Sequence, residues 1–179
     1  MMDETGWIQR AREGDVGAFG RLVQTYQTPV YNLACRMLGD RMEAEDAAQE
    51  TFLRAFRSLN RYDPGRPFLT WLLSIAAHHC IDRLRRRRPA LPLDSLPLGS
   101  DGEDPEAALE RREARERVQQ LLMALSPVDR AAVTLRYWYD CSYEEIAGML
   151  DLTVSAVKSR LHRARRRLAR TLVETTDEV

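Results

Sequence analysis

Two blocks of basic residues are the part of this sequence whose side chains are suited to binding a partner. Residues 152–171 contain seven basic residues and no acidic one, and residues 54–88 contain nine arginines against two acidic residues. The formal net charge of the whole chain is nevertheless +0, because acidic segments lie between the blocks. Arginine binds phosphate groups and guanine through paired hydrogen bonds. The pattern therefore indicates two separate surfaces for a polyanion.

The second basic block lies within a pair of short predicted helices. Ser142 and Glu145 have the spacing of a capping box, so the first helix is expected to begin at Tyr143. Asp151 is predicted to occupy a tight turn, where aspartate tolerates left-handed backbone angles, and Thr153 to cap the next helix. A short helix, a tight turn and a longer basic helix are typical of a helix-turn-helix, whose second helix enters the DNA major groove.

The second helix of this pair has one apolar and one polar face. Val157, Leu161 and Ala164 recur at helical spacing and are expected to face a core. The positions predicted to bind DNA are Ser155, Lys158, Ser159, Arg160, His162, Arg163, Arg165 and Arg166. The N-terminal half of such a helix reads base edges, and its later arginines meet phosphates. The alternative is a solvated basic helix that ends a helical bundle.

The remaining sequence predicts an all-α protein of two small helical domains joined by a flexible acidic linker. Gly39 is expected to end one helix and Asp40 to cap the next, Ser126 to cap a later helix that begins with Pro127, and Pro29 to interrupt the helix before Gly39. Phe56 is placed on a core-facing helical stripe. The predicted domains span 10–88 and 113–171. Between them, residues 89–112 are rich in Pro, Gly, Ser and acidic residues.

Several classes of function are disfavoured by the residues present. The three cysteines are far apart and have no metal-ligand spacing, and His78 and His79 are adjacent on one helix without a third ligand. We find no nucleophile paired with a base and no phosphate-binding loop, so an enzyme, a metal site and a cofactor are not expected. The sequence shows neither a signal peptide nor a membrane-spanning run, which predicts a cytoplasmic protein without membrane insertion.

Two groups of motifs resemble those of a known protein family. The first comprises AEDA at 44–47, QETF at 49–52, Phe68, Trp71, Ile75 and DRLR at 82–85. The second comprises YEEIA at 143–147, VKSRL at 157–161 and RAR at 163–165. In this order and spacing they are similar to the bacterial sigma-70 family of RNA polymerase sigma factors, and more narrowly to its extracytoplasmic-function (ECF) group.

The resemblance implies a role for each domain. The first would bind core RNA polymerase, at the clamp of its largest subunit, through Glu45, Asp46, Gln49, Glu50 and Arg54. It would also melt and hold the −10 promoter element through Tyr62, Phe68, Trp71, His78, Arg83, Arg85 and Arg86, because unpaired bases need stacking platforms and cations. Phe68 and Trp71 also fit a helical core stripe, so core packing stays open for both, and Tyr62 is the better candidate for a flipped base.

The second domain would bind the −35 element and the flap of the second-largest polymerase subunit. The resemblance further implies a linker in the RNA exit path, an anti-sigma factor as a possible partner, and a regulon of stress or envelope genes. The family often has an Arg-Asn pair where this chain has His78 and His79, so the −10 contact at that position differs. The competing hypothesis is a free-standing helix-turn-helix repressor or activator, which would bind duplex DNA as a symmetric dimer without polymerase.

Overall fold

The computed structural model describes residues 4–87 and 105–176, and within these ranges all regular structure is helical. The N-terminal unit consists of α1 (Glu4–Arg12), α2 (Val16–Leu38), α3 (Arg41–Ser58), a short 3-10 helix (Leu59–Arg61) and α4 (Phe68–Arg86). The C-terminal unit consists of α5 (Pro105–Met123), α6 (Pro127–Trp138), α7 (Tyr143–Leu150) and α8 (Val154–Thr176). The all-α prediction is confirmed.

Capping residues mark the helix boundaries at the positions that the sequence predicted. Gly39 ends α2 with φ 71°, and its N–H donates to Cys35 O. The Asp40 side chain accepts from Glu43 N at the start of α3, and Ser126 caps α6 with Pro127 in its first turn. Each cap satisfies a backbone group that the helix itself leaves unpaired.

The prediction that Pro29 interrupts the helix is wrong, because α2 continues through it to Leu38. Proline removes one backbone donor and crowds the preceding turn. The helix continues because apolar side chains on both sides of the proline pack into the core: Leu22, Val30 and Leu33 are each 0 % exposed. Their burial outweighs the local cost.

The N-terminal unit is a bundle in which α2 lies against α1, α3 and α4. Its core includes Leu22, Leu33, Met37, Phe68 and Leu72, all essentially inaccessible to solvent. In the C-terminal unit α6, α7 and α8 pack around Leu135, Ile146, Val157 and Leu161. This second core fixes the angle between the two helices of the predicted DNA-binding motif.

The two units also contact each other directly, which the sequence did not predict. Ser74 Oγ of α4 donates to Met149 O of α7 at 3.1 Å, and Tyr139 OH donates to Pro29 O of α2 at 2.6 Å. Most of the predicted linker, residues 89–104, lies outside the described residues. Its last part, residues 105–112, belongs to α5 and is helical.

The three cysteines are free thiols. Burial raises the pKa of Cys80 to about 12 and that of Cys141 to about 11, and it also raises the pKa of the half-buried Cys35. Across residues 4–87 and 105–176 no cluster of three or more potential metal ligands is present. Over the same ranges, none of the helices has the length and apolar character needed to cross a bilayer.

Candidate nucleic-acid interface

The helix-turn-helix is built by the residues that predicted it. Ser142 N donates to Glu145 Oε2 at 2.7 Å and Glu145 N donates to Ser142 Oγ at 3.1 Å, so both bonds of the capping box are present. Asp151 has φ 54° and ψ 46°, in the left-handed region, and ends α7. Thr153 Oγ1 accepts from Ala156 N and caps α8. The turn is therefore held by backbone bonds to Ala147 O at the end of α7 and by the Thr153 side chain at the start of α8.

Helix α8 presents most of its predicted DNA-binding side chains to solvent. Val157, Leu161 and Ala164 are 0 %, 1 % and 2 % exposed and anchor the helix in the core. The opposite face exposes Ser155, Lys158, Ser159, His162, Arg163, Arg165 and Arg166. This face is continuous and positively charged, as a major-groove helix requires.

Arg160 differs from the other basic residues of α8. It lies next to the buried stripe, and its Nη1 donates to Asp129 Oδ1 at 2.8 Å. The two side chains are only 29 % and 20 % exposed. Asp129 belongs to the first turn of α6, where Ser126 caps the helix. The ion pair thus ties α8 to α6, whereas the sequence placed Arg160 on DNA.

The aromatic residues predicted to hold unpaired bases form a cluster inside the N-terminal unit. Tyr62 and Phe68 are 6 % and 1 % exposed, and their ring centroids lie 5.1 Å apart, edge to face. Trp71 lies 5.3 Å from Tyr62 and 5.5 Å from Phe68, and it remains half-exposed. In this arrangement the rings of Tyr62 and Phe68 are core residues and are not accessible to a base.

Polar contacts that the sequence pattern did not reveal hold Tyr62 in its buried position. Its OH donates to Arg66 O at 2.6 Å, and the Arg12 guanidinium lies 5.7 Å from the ring centroid and donates to Tyr62 O. Burial raises the pKa of Tyr62. Asp63 Oδ1 accepts from Gly65 N at 2.9 Å and tightens the loop. The loop therefore holds the Tyr62 side chain in the core, where it is not exposed to solvent.

The remaining predicted −10 residues lie along α4. Arg85 and Arg86 are exposed at its C-terminal end. Arg83 is half-buried, 3.7 Å from both Glu43 and Asp46 of α3. His78 Nδ1 donates to Ser74 O at 2.9 Å, and His78 Nε2 lies 3.2 Å from Asp151 Oδ2. His78 thus contacts the turn of the helix-turn-helix, while its side chain stays 42 % exposed.

A groove between α2 and α3 adjoins the predicted polymerase-binding residues. Its cavity volume is about 890 Å³, and Phe19, Phe52, Leu53 and Phe56 are among its lining residues. Phe56 packs edge to face on Phe19, with centroids 4.9 Å apart, and is 39 % exposed, so its predicted place in the core is wrong. Ala55 and Leu59, predicted on the same stripe, do occupy core positions. Leu53 is 52 % exposed, and sequence periodicity missed it because it lies off the apolar stripe.

The five predicted polymerase-binding residues are divided between the groove and its surroundings. Glu45 and Gln49 line the groove. Arg54 Nε donates to Glu50 Oε1 at 2.7 Å, a bond that lowers the pKa of Glu50. Asp46 faces Arg83 of α4. The arrangement combines an apolar floor with a charged margin, which suits a protein partner better than a nucleic acid.

Comparison with known proteins adds independent information on both units. Residues 22–90 match the family model described as sigma-70 region 2, and residues 115–168 match that described as sigma-70, region 4. The chain is 36% identical over 176 residues to the ECF RNA polymerase sigma factor SigW of Bacillus subtilis, covering 92% of this chain and 94% of that protein.

Two solved structures have a similar fold. CnrH in complex with the cytosolic domain of CnrY aligns with a TM-score of 0.70 and 28% identity, over 94% of this chain and 96% of CnrH. The sigma factor RpoE of Bartonella quintana, in complex with the anti-sigma factor NepR, aligns with a TM-score of 0.68 over 88% of this chain and 98% of that one. Its identity of 22% makes this second likeness one of fold alone.

Proposed function

The chain belongs to the ECF group of the sigma-70 family of RNA polymerase sigma factors, and from this premise we propose how its two units divide the work. As a sigma factor it is an initiation factor and not an enzyme, and its partners are core RNA polymerase and promoter DNA. We assign polymerase docking and the −10 element to residues 10–88, and the −35 element to residues 113–171. We place the chain in the cytoplasm, where polymerase works.

The −35 assignment is carried by the exposed face of α8. Lys158, Ser159 and His162 lie toward its N-terminal half, where a major-groove helix contacts base edges, and Arg163 follows them. Arg165 and Arg166 lie further along and suit phosphates. The flap of the second-largest polymerase subunit is the proposed protein contact of this unit.

The −10 assignment rests on the exposed end of α4 and on Trp71. Arg85 and Arg86 supply cations for a DNA backbone, and the half-exposed indole supplies a stacking surface. Tyr62 and Phe68 support this surface from within. His78 can join it once the contact with Asp151 is broken.

The proposed docking site for the clamp of the largest subunit is the α2–α3 groove. Its apolar floor supports this assignment, since protein interfaces have apolar centres and charged rims. Glu45 and Gln49 line it, whereas Asp46, Glu50 and Arg54 lie elsewhere on the surface of α3, where Asp46 faces Arg83 and Glu50 pairs with Arg54. An anti-sigma factor, such as the one bound to the Bartonella quintana factor, is a further proposed partner.

Run-off transcription tests the function directly. With core RNA polymerase and genomic fragments, the full chain is expected to produce discrete new start sites. Arg163→Ala is expected to reduce these transcripts at least about fivefold, because an arginine contact to a base contributes about 1–3 kcal/mol of discrimination. Binding to core polymerase should not change. An equal loss of polymerase binding would contradict the role of Arg163. Tight sequence-specific duplex binding without any new starts would favour the repressor hypothesis.

The ion pair of Arg160 leads to a different expectation from that for Arg163. Arg160→Met and Asp129→Asn are each expected to weaken binding of the full chain to a −35 duplex by roughly two- to fivefold, because either change releases α8 from α6. The slope of log affinity against log salt should stay unchanged, whereas losing a phosphate contact reduces it by about 0.9. Fluorescence anisotropy across a salt series measures both quantities.

Comparing Arg160→Met with Asp129→Asn distinguishes a structural role of Arg160 from direct contact with DNA. A DNA-contacting Arg160 would instead be freed by Asp129→Asn, so affinity would rise with that change while Arg160→Met lowered the salt slope. That pair of results would return Arg160 to the DNA-binding set.

A further inference from the structure

The first turn of α3 lies against the C-terminal end of α4, and four charged side chains meet there. Arg87 Nη2 forms an ion pair with Glu43 Oε2, and Arg83 Nε lies 3.7 Å from the same oxygen. Arg83 Nη2 also lies 3.7 Å from Asp46 Oδ2. We call these four residues the α3–α4 ion-pair cluster: Glu43, Asp46, Arg83 and Arg87. Two arginines of the first basic block therefore face two carboxylates of the neighbouring helix.

Glu43 is the carboxylate that both arginines share, and the backbone fixes its position. Asp40 Oδ1 accepts from Glu43 N at 2.8 Å, which places Glu43 in the first turn of α3, where the helix dipole stabilises a negative charge. The side chain of Glu43 is 32 % exposed, whereas that of Asp46 is 69 % exposed. Water and salt screen a partly buried ion pair less than an exposed one. Glu43 is therefore the main anchor of the cluster.

The arginines at the end of α4 form two pairs that differ in their surroundings. Arg83 and Arg87 are four residues apart and lie on the side of the helix that faces α3, with side chains 31 % and 34 % exposed. Arg85 and Arg86 are exposed, and within the described residues no carboxylate lies at ion-pair distance from them. Only this second pair can bind a phosphate without first losing a carboxylate.

Internal ion pairs reduce the positive charge that the first basic block offers to DNA. Of its nine arginines, Arg54 is paired with Glu50 of α3, and two more are paired with Glu43. Carboxylate and phosphate oxygens compete for the same guanidinium donors. A DNA phosphate can therefore bind Arg83 or Arg87 only by displacing the carboxylate.

We propose that Glu43 restricts phosphate binding at the end of α4 to Arg85 and Arg86, by retaining Arg83 and Arg87 on α3. Phosphate contacts raise affinity for every DNA sequence alike, whereas base contacts discriminate between sequences. Glu43 thus limits the sequence-independent part of DNA binding. Its role at the −10 element rests on the proposed function, whereas the retention of two arginines is a property of the chain itself.

The salt dependence of single-strand binding counts the arginines that contact phosphates. The probe is a fluorescein-labelled oligo(dT), bound by the full chain without polymerase and followed by fluorescence anisotropy across a salt series. All chains carry Arg163→Gln and Arg166→Gln, which weaken competing binding to the exposed face of α8. Each phosphate contact to a single strand contributes about 0.7 to the slope of log affinity against log salt.

Glu43→Gln removes the charge of the anchor and keeps its size. It is expected to steepen the salt slope by about 0.7 for each released arginine, and by about 1.4 for both. Affinity for oligo(dT) should rise roughly two- to fivefold, the scale of an exposed ion pair. Asp82→Asn is the matched control, because it removes one negative charge beside Arg83 from an exposed residue that pairs with no arginine in 4–87 and 105–176. The control should keep the slope of the parent chain.

Replacing the arginines tests the same division with Glu43 in place. Arg83→Gln combined with Arg87→Gln should leave the slope unchanged, whereas Arg85→Gln combined with Arg86→Gln should reduce it by about 1.4. In a chain that already lacks Arg83 and Arg87, Glu43→Gln should no longer steepen the slope. The arginine pairs decide the question even if circular dichroism shows that Glu43→Gln does not fold.

A second probe tests whether the effect is independent of sequence. It is the non-template strand of a promoter found by run-off transcription. Glu43→Gln should raise affinity for this strand by the same factor as for oligo(dT), because phosphate contacts carry no sequence information. A gain confined to the promoter strand would mean that Glu43 acts through base contacts, against the proposal.

Three further results would overturn the proposal. An unchanged slope in Glu43→Gln would mean that the arginines stay on α3 without its charge. An equal change in Asp82→Asn would assign the effect to net charge alone. A lower slope in the Arg83 and Arg87 double variant would place those arginines on phosphates already. Failure of the sigma function appears separately, as absence of new starts in run-off transcription, because oligo(dT) binding needs neither polymerase nor a promoter.

Discussion

Phe56→Glu is expected to reduce the affinity for core RNA polymerase at least tenfold while leaving the chain folded. The ring is 39 % exposed and lines the α2–α3 groove, so a carboxylate there faces solvent in the free chain but an apolar partner in the complex. Burying an unpaired charge at the centre of an interface costs several kcal/mol. A titration with labelled chain and core enzyme gives the dissociation constant.

Arg57→Glu is the matched control for this experiment, since Arg57 is exposed on the adjacent position of α3 and does not line the groove. It changes charge by more than Phe56→Glu and should have a smaller effect. Asp46→Arg tests the charged residues of α3 and is also expected to weaken binding to core RNA polymerase. Unchanged affinity in Phe56→Glu, with the fold intact by circular dichroism, would move the docking site elsewhere.

Phe68→Ala is expected to lower the free energy of unfolding by about 3–5 kcal/mol, the usual cost of removing a buried aromatic ring. Phe68 is 1 % exposed and contacts the rings of Tyr26, Tyr62 and Trp71. Denaturant unfolding followed by circular dichroism measures the change.

Phe68→Leu keeps an apolar side chain but removes the aromatic ring, so it distinguishes packing from base stacking. It is expected to cost less stability than Phe68→Ala and to retain promoter melting in permanganate footprints. Trp71→Leu is expected to impair promoter melting, because the half-exposed indole of Trp71 is the proposed stacking surface. A strong melting defect in Phe68→Leu without loss of stability would restore Phe68 to the DNA-binding set.

Local signals account for what the sequence predicted well. The caps at Asp40, Ser126 and Ser142 depend on residues three positions apart, and the left-handed turn at Asp151 depends on one residue. Such features are determined by the chain's immediate neighbours, so they can be found without a structure. The apolar stripe of α8 was visible for the same reason.

Tertiary contacts account for what the sequence did not predict. Tyr62 and Tyr139 have the same phenol, yet one packs on Phe68 and the other reaches Pro29 across the unit boundary. Arg130 Nη1 donates to Met37 O, 93 positions away in the chain, and Arg160 Nη1 donates to Asp129 Oδ1, 31 positions away. Periodicity within one helix does not encode such partners. The predictions that Arg160 contacts DNA and that Tyr62 is accessible to a base therefore relied on residue type and resemblance.

The burial of the three thiols bears on how this factor could respond to oxidants. A thiol reacts as its thiolate, and Cys80 and Cys141, with pKa values of about 12 and 11, hold almost none at neutral pH. Cys35 is more accessible, but burial shifts its pKa in the same direction. We therefore expect slow alkylation of the native chain at all three positions. An oxidative signal that changes transcription by this factor would have to be detected by another molecule and relayed by binding.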